Sequence, residues 1–272
     1  MEIINNKTGK KNYPDSLLSG FIELDNLLGK MQSGLYVIGA RPGMGKTSFL
    51  LNIIVNLIVN KLANNQILFI STNESKKLNL ERFTSIITKI PIRVIQNDEI
   101  NYDKQIKHID EHPILKKVNS KQLNIYRLNN KPYFEEIYKL LNHSKSNISI
   151  LMIDCLQDFI KENETSVETQ IEYIMESLKV LASEQNIPII ISSHIERTVE
   201  KSINKMPTSI NLIQNIEKHA DVLMFILRPE YYQIIDNNEK TFANISVAKN
   251  NFGSIGEFEL ATEMDKLLFK NQ

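Results

Sequence analysis

From Gly20 onward, short apolar runs alternate with longer stretches of helical spacing. Leu35–Ala40 (LYVIGA), Gln66–Ser71 (QILFIS), Leu123–Leu128, Ile148–Ile153, Ile187–Ser192 and Asp221–Leu227 are apolar and too short for helices. Each reads as a strand, and Leu35–Ala40, Gln66–Ser71 and Ile187–Ser192 read as buried on both faces. Lys46–Leu62 repeats Phe49, Leu50, Ile53, Ile54, Leu57 and Ile58 at helical spacing. Glu74–Lys89 is amphipathic and stops ahead of Pro91, as a helix should. Pro132–Asn142 is a further amphipathic stretch, and Thr165–Glu184 aligns Ile171, Ile174, Leu178 and Leu181 on one face. Residues 92–118 read as helical with open boundaries, because Pro113 and many charges interrupt them. Phe242–Ala248 and Glu257–Leu260 flank Gly253–Gly256 as a C-terminal β-hairpin. Strands alternating with helices imply an α/β fold with a mostly parallel, twisted sheet covered by helices. Residues 1–18 are polar and aperiodic, a tail or arm, and residues 19–272 are expected to form one domain.

Composition changes this picture little. At 272 residues, 42% hydrophobic and 24% charged, the chain is an ordinary globular one. It holds no apolar span of about 20 residues, so no membrane helix is expected. Met1–Lys7 does not resemble a cleavable leader. The lone Cys155 cannot form an internal disulfide, which fits a reducing cytoplasm. Equal numbers of basic and acidic residues, 32 each, argue against a chain-wide grip on nucleic acid but leave a local basic strip open. No Cys/His cluster has zinc spacing, and no nucleophilic triad is visible.

The chemistry is concentrated where the first strand meets its helix. Ala40-Arg41-Pro42-Gly43-Met44-Gly45-Lys46-Thr47, continued by Ser48, has the spacing of a phosphate-binding P-loop with Ala at the first glycine position. Backbone N–H groups and the positive helix end favour phosphate oxygens. In such a loop Lys46 reaches the β- and γ-phosphates of ATP and the Thr47 hydroxyl ligates Mg²⁺. Gly45 lets backbone approach closely. Ile150–Ile153 ends in Asp154, at the strand edge where open α/β sheets bind ligands. Asp154 is therefore placed to hold Mg²⁺ through water; the alternative is a helix-capping aspartate.

With these motifs in place the chain resembles the motor domain of the DnaB-type hexameric replicative helicases, a RecA-like P-loop NTPase fold. The resemblance rests on Gly20-Phe21-Ile22-Glu23-Leu24-Asp25, on the Ala-Arg-Pro form of the P-loop, and on Ile153-Asp154-Cys155-Leu156-Gln157. It continues through Ser177–Ala182, Asn186–Ile189, Ala220–Phe225 and the turn from Lys249 to Gly256. It implies ATP hydrolysis at subunit interfaces with Mg²⁺, single-stranded DNA as the track, a homo-oligomeric or hexameric ring, and replisome proteins or a full-length replicative helicase as partners. The family's collar domain and most of its linker helix have no counterpart in the sequence, which is expected to comprise the motor alone.

Four departures bear on mechanism. The family's catalytic glutamate falls at Asn73, with Glu74 next to it. Asn positions water but takes no proton from it, so Glu74 is the working candidate for the base; otherwise Glu74 is a first-turn helix residue favoured by the dipole. The γ-phosphate-sensing Gln is replaced by His194, a phosphate donor or a polar strand end. The arginine finger falls at Asn251, leaving Lys249 as a point charge without the bidentate fork, or simply an exposed lysine. The DNA loop is shortened, with Arg197, Lys201 and Lys205 as candidate phosphate contacts or a solvated loop. Gln157 matches a position that couples nucleotide state to the DNA loop, and is otherwise a loop amide. Arg228 matches a strand-end arginine or makes a surface ion pair, and Cys155 packs.

Three functions compete at this stage. The first is an ATP-dependent helicase motor of replication. The second is a hydrolysis-impaired ATP-binding accessory, loader or inhibitor docking on a replicative helicase. The third, a recombination-mediator ATPase, accounts less well for the Ala-Arg-Pro loop and for Leu156-Gln157.

Overall fold

The computed structural model describes residues 17–59, 66–72, 74–97, 112–117, 123–128, 134–143, 148–161, 164–202, 205–213, 215–232 and 241–272. The expected arm over its first 16 residues and the Asn73 position lie outside the described residues.

Nine strands form one sheet: β1 (Gly34–Ala40), β2 (Gln66–Ser71), β3 (Leu123–Arg127), β4 (Ile148–Asp154), β5 (Pro188–His194), β6 (Val222–Leu227), β7 (Phe242–Asn250), β8 (Gly256–Glu263) and β9 (Leu268–Lys270). Their spatial order is β3-β2-β4-β5-β1-β6-β7-β8-β9. All pairings from β3 across to β6 are parallel, and the last three are antiparallel. This is the mostly parallel α/β architecture that the alternating pattern implied.

The apolar runs of β1, β2, β4, β5 and β6 are strands covered on both faces, while the edge strand β3 buries Leu123 and Ile125 and exposes Tyr126. Along β1 the side chains alternate: Tyr36, Ile38 and Ala40 pack with Phe49 and Leu50, while Leu35 and Val37 pack with Leu178 and Leu181. The first set belongs to α2 (Lys46–Val59), the second to α7 (Val167–Gln185). The intervening helices are α3 (Lys76–Thr88), the short α4 (Ile92–Gln96) and α5 (Pro113–Lys117), and α6 (Glu135–His143). A brief α8 (Ile216–His219) precedes β6.

Three elements differ from expectation. A helix, α1 (Ile22–Leu28), stands before β1, its entry fixed by the Asp25 carboxylate accepting from Ser19 N at 2.7 Å and Gly20 N at 3.0 Å. Helix α3 begins at Lys76, not Glu74, because the Ser75 hydroxyl accepts from Leu78 N at 3.1 Å and caps it. The C-terminal hairpin gains β9. Asn52 of α2 donates to Leu267 O at 2.8 Å and accepts from Phe269 N, and the Phe269 ring meets Phe49 edge-on at 5.3 Å. Among the described residues no helix is long and apolar enough to cross a membrane.

Candidate functional site

β1 hands the chain to β2 on the far side of β5 and β4, so the carboxyl ends of β1, β5 and β4 adjoin. Ala40 lies opposite His194, and Asp154 opposite Ser71. A crevice at such a crossing is where α/β sheets bind ligands. Here it is a cavity of about 390 Å³ lined by Pro42, Gly43, Gly45, Lys46, Thr47 and Ser48, together with Asp154 and His194.

The loop is held from both sides. Arg41 turns away from the cavity, its Nε donating to Glu200 at 2.9 Å and Nη1 to Ile195 O at 3.0 Å. Arg228 donates to Glu230 at 2.6 Å and to Gly43 O at 3.1 Å, so it is both an ion pair and a brace on the loop. Met44 is buried beneath the loop at 1% exposure, so its role there is packing. Gly43 and Gly45 take φ of +80° and +91°, in the region where only glycine is unstrained.

Lys46 folds over the loop. Its Nζ donates to Ala40 O at 3.0 Å and Arg41 O at 3.3 Å and lies 3.1 Å from His194 Nδ1. Burial draws its pKa down to about 8 although Asp154 opposes this. Burial and then the Lys46 charge lower His194 as well. A neutral imidazole accepting from Lys46 at Nδ1 carries its proton on Nε2, 3.6 Å from Cys155 Sγ. Burial raises the Cys155 thiol, so it stays neutral and packs. Gln157 ties this end of β5 in place: its Oε1 accepts from His194 N, and its Nε2 donates to Ser193 Oγ, each at 2.9 Å.

The Thr47 hydroxyl donates to Asp154 Oδ2 at 2.5 Å, and Ser192 donates to the other carboxylate oxygen. Asp154 therefore faces the P-loop and caps no helix. A hydroxyl and a carboxylate are hard oxygen ligands, and Mg²⁺ characteristically takes one or two such groups plus phosphate and water. The pair fits that ion. Among the described residues no cluster of three or more His, Cys, Asp or Glu would hold a metal unaided.

The remaining candidates fall in two places. Glu74 lies ahead of the α3 cap and lines the cavity, so it is not a first-turn helix residue. Arg197 and Lys201 are exposed on a 3₁₀ turn anchored by buried Val199. Lys205 is half-buried, donating to Glu200 O and lying 5.7 Å from the Tyr232 ring centroid. Lys249 donates to Glu217 O at 2.8 Å, and Asn251 to Asp221 at 3.1 Å; neither lines the cavity. Sequence reasoning missed Arg82, Asp158, Met264 and Leu267, which also line it. Nothing local marks the last two, since they arrive with β9 from the far end of the chain.

The family described as DnaB-like helicase C terminal domain matches residues 16–271. A probable replicative DNA helicase of Trieres chinensis is 32% identical over 256 residues, covering 90% of this chain and 54% of that protein. Replicative DNA helicase DnaB of Rickettsia prowazekii (strain Madrid E) is 28% identical over 291 residues, 94% of this chain and 58% of the relative. The chain thus spans little more than half the length of these relatives. In fold, a solved structure of an isolated ATPase domain superposes with a TM-score of 0.85 at 24% identity, covering 97% of this chain and 93% of that one. A DnaB-like replicative helicase solved with regard to its interactions with primase gives 0.85 at 24%, covering 98% and 64%.

Proposed function

The chain belongs to the DnaB-like helicase C-terminal domain family, and on that premise we propose that it is the ATP-hydrolysing motor of a replicative helicase, moving single-stranded DNA. The observation that carries the reading is the triangle of Lys46, the Thr47–Asp154 pair and His194 around one cavity. Triphosphate would take Lys46 from the loop carbonyls and His194, restoring to its charge the partner that burial removed. Thr47 and Asp154 would hold Mg²⁺, which when bound neutralises developing phosphate charge. His194, released from Lys46, is then free to donate to the γ-phosphate, and Gln157, bonded to the His194 backbone, is the proposed coupling of that movement to the DNA loop. Glu74 is the proposed base, orienting the attacking water and taking its proton. Lys249 is the proposed cation offered to a neighbouring subunit's nucleotide.

Arg197 and Lys201 are the proposed phosphate contacts to DNA, with Lys205 behind them. Zero net charge makes that grip local, and contacts to phosphate make it salt-sensitive. Partners of this motor are further copies of the chain and replisome proteins, primase being the one named for a solved relative. The reading also places it in the cytoplasm, where Cys155 stays reduced.

ATP turnover with and without single-stranded DNA tests the proposal. We expect stimulation of several-fold by DNA, lost in Lys46→Ala. Tight ATP binding without turnover under either condition would instead assign the chain to an accessory that docks on a helicase.

A further inference from the structure

We propose that Arg82 is the positioning residue of the catalytic carboxylate: its guanidinium, reaching back from α3, holds Glu74 over the phosphate loop. The inference rests on Glu74 acting as the base. Glu74 sits in the short connection between β2 and α3, one strand away from Asp154 along the carboxyl edge of the sheet. Such a connection does not by itself aim a side chain. Two contacts do. The Ser75 cap ends the connection immediately after Glu74. Two turns into α3, Arg82 leans towards the helix N-terminus, as helical side chains do, and its Nη1 lies 2.6 Å from Glu74 Oε2.

Both side chains are about three-quarters buried, at 21% and 24% exposure, and both line the cavity that holds Lys46 and Thr47. An ion pair serving stability alone has no need of that address. The bond uses Oε2; Oε1 makes no hydrogen bond among the described residues and remains available to water. A charge-assisted bond of this kind fixes the direction of the carboxyl group as well as its ionisation.

The chemistry needs both. Water oxygen forms a bond to the γ-phosphorus while the bond from that phosphorus to the bridging oxygen breaks, its electron pair leaving with ADP. The water proton passes to Glu74 Oε1, which must be unprotonated to receive it. Burial raises the Glu74 pKa, Arg82 opposes this by charge and hydrogen bond, and Asp154 adds to the rise. The other titratable groups facing the cavity are Lys46 from α2, Cys155 and Asp158 after β4, His194 from β5 and Arg228 beyond β6. Without Arg82 the carboxylate loses its nearest cation, so it stays protonated to higher pH and the acid limb of turnover moves up.

The test uses the full chain with Mg-ATP and single-stranded DNA, comparing R82Q, R82K and E74Q. R82Q is expected to lower kcat roughly tenfold or more with KM changed less than about twofold, and to shift the acid limb of kcat upward. R82K, retaining the charge, recovers most of both. In parallel, the Glu74 carboxyl resonance of ¹³C-labelled chain, assigned by its loss in E74Q, should titrate at higher pH in R82Q. This readout does not depend on turnover and stands even if hydrolysis is slow. Turnover and resonance both unmoved in R82Q overturn the proposal, as does an equal rate loss in R82K and R82Q with the acid limb fixed. E74Q retaining full turnover removes instead the assignment of the base.

Discussion

At Gly45 the backbone sits at φ +91°, and a Cβ added there would lie 3.1 Å from Phe269 Cζ. Two separate penalties therefore meet at one position: left-handed strain, on the order of 1–3 kcal/mol, and a steric push on the aromatic ring that carries β9 against α2. The ring cannot yield cheaply, because it is buried edge-on against Phe49. The strain falls on the loop whose N–H groups have to converge on phosphate. Gly45→Ala should accordingly lower the melting temperature by several degrees and weaken binding of a fluorescent ATP analogue more than tenfold. A loop that binds the analogue unchanged would mean that these N–H groups do not form the phosphate cradle.

Between elements, the most direct link from the nucleotide loop to the basic turn is the Arg41–Glu200 pair, at 2.9 Å with side-chain exposures of 13% and 42%. A pair so exposed on one side adds little stability, typically under about 1 kcal/mol. Its consequence lies in what it joins, since Glu200 stands between Arg197 and Lys201 on the same turn. Glu200→Gln should therefore leave thermal stability and unstimulated ATP turnover nearly as they were, while reducing stimulation by single-stranded DNA at least twofold. Undiminished stimulation would show that the two loops communicate by another route, of which Gln157 is the alternative bridge. The pair also marks how far the sequence could be read. Parallel strands buried on both faces leave continuous apolar runs, so β1, β2, β4, β5 and β6, the loop after β1 and Asp154 at the end of β4 were legible, and the edge strand β3 showed through its alternating Leu123 and Ile125. Legibility failed where an element owes its existence to a distant partner. β9 is three residues long and is fixed by Asn52, 215 positions away from Leu267. α1 is tied through Ile22 N to Asn271 Oδ1, 249 positions away, and Glu74 meets an arginine that no motif singles out.

For the molecule as a whole, the proposed function calls for a cation supplied to the site by a neighbouring subunit. Asn251, in the arginine-finger position, is committed to Asp221 of its own chain, and that carboxylate also accepts from Lys179 and Leu35 N. The turn beyond it is clamped onto α1, with Asn250 and Ser254 N both donating to Leu27 O. Lys249 is therefore the cation on this edge that can be released, at the loss of one hydrogen bond to Glu217 O. A site completed in trans makes a prediction that a site completed within one chain does not. A Lys46→Ala chain lacks a working phosphate loop but keeps Lys249; a Lys249→Ala chain keeps its phosphate loop and lacks the cation. Each alone should be nearly inactive in ATP turnover. Mixed in equal amounts with Mg-ATP and single-stranded DNA, they should recover activity, because a Lys46→Ala subunit can supply Lys249 to its neighbour's nucleotide. Random mixing limits the recovery to the fraction of interfaces with the right pair, roughly a quarter. A mixture no more active than its components would exclude Lys249 as a trans-acting group. Light scattering on the same mixture should show assembly in the presence of an ATP analogue, and a monomer there would make the motor dependent on a partner that carries the missing cation.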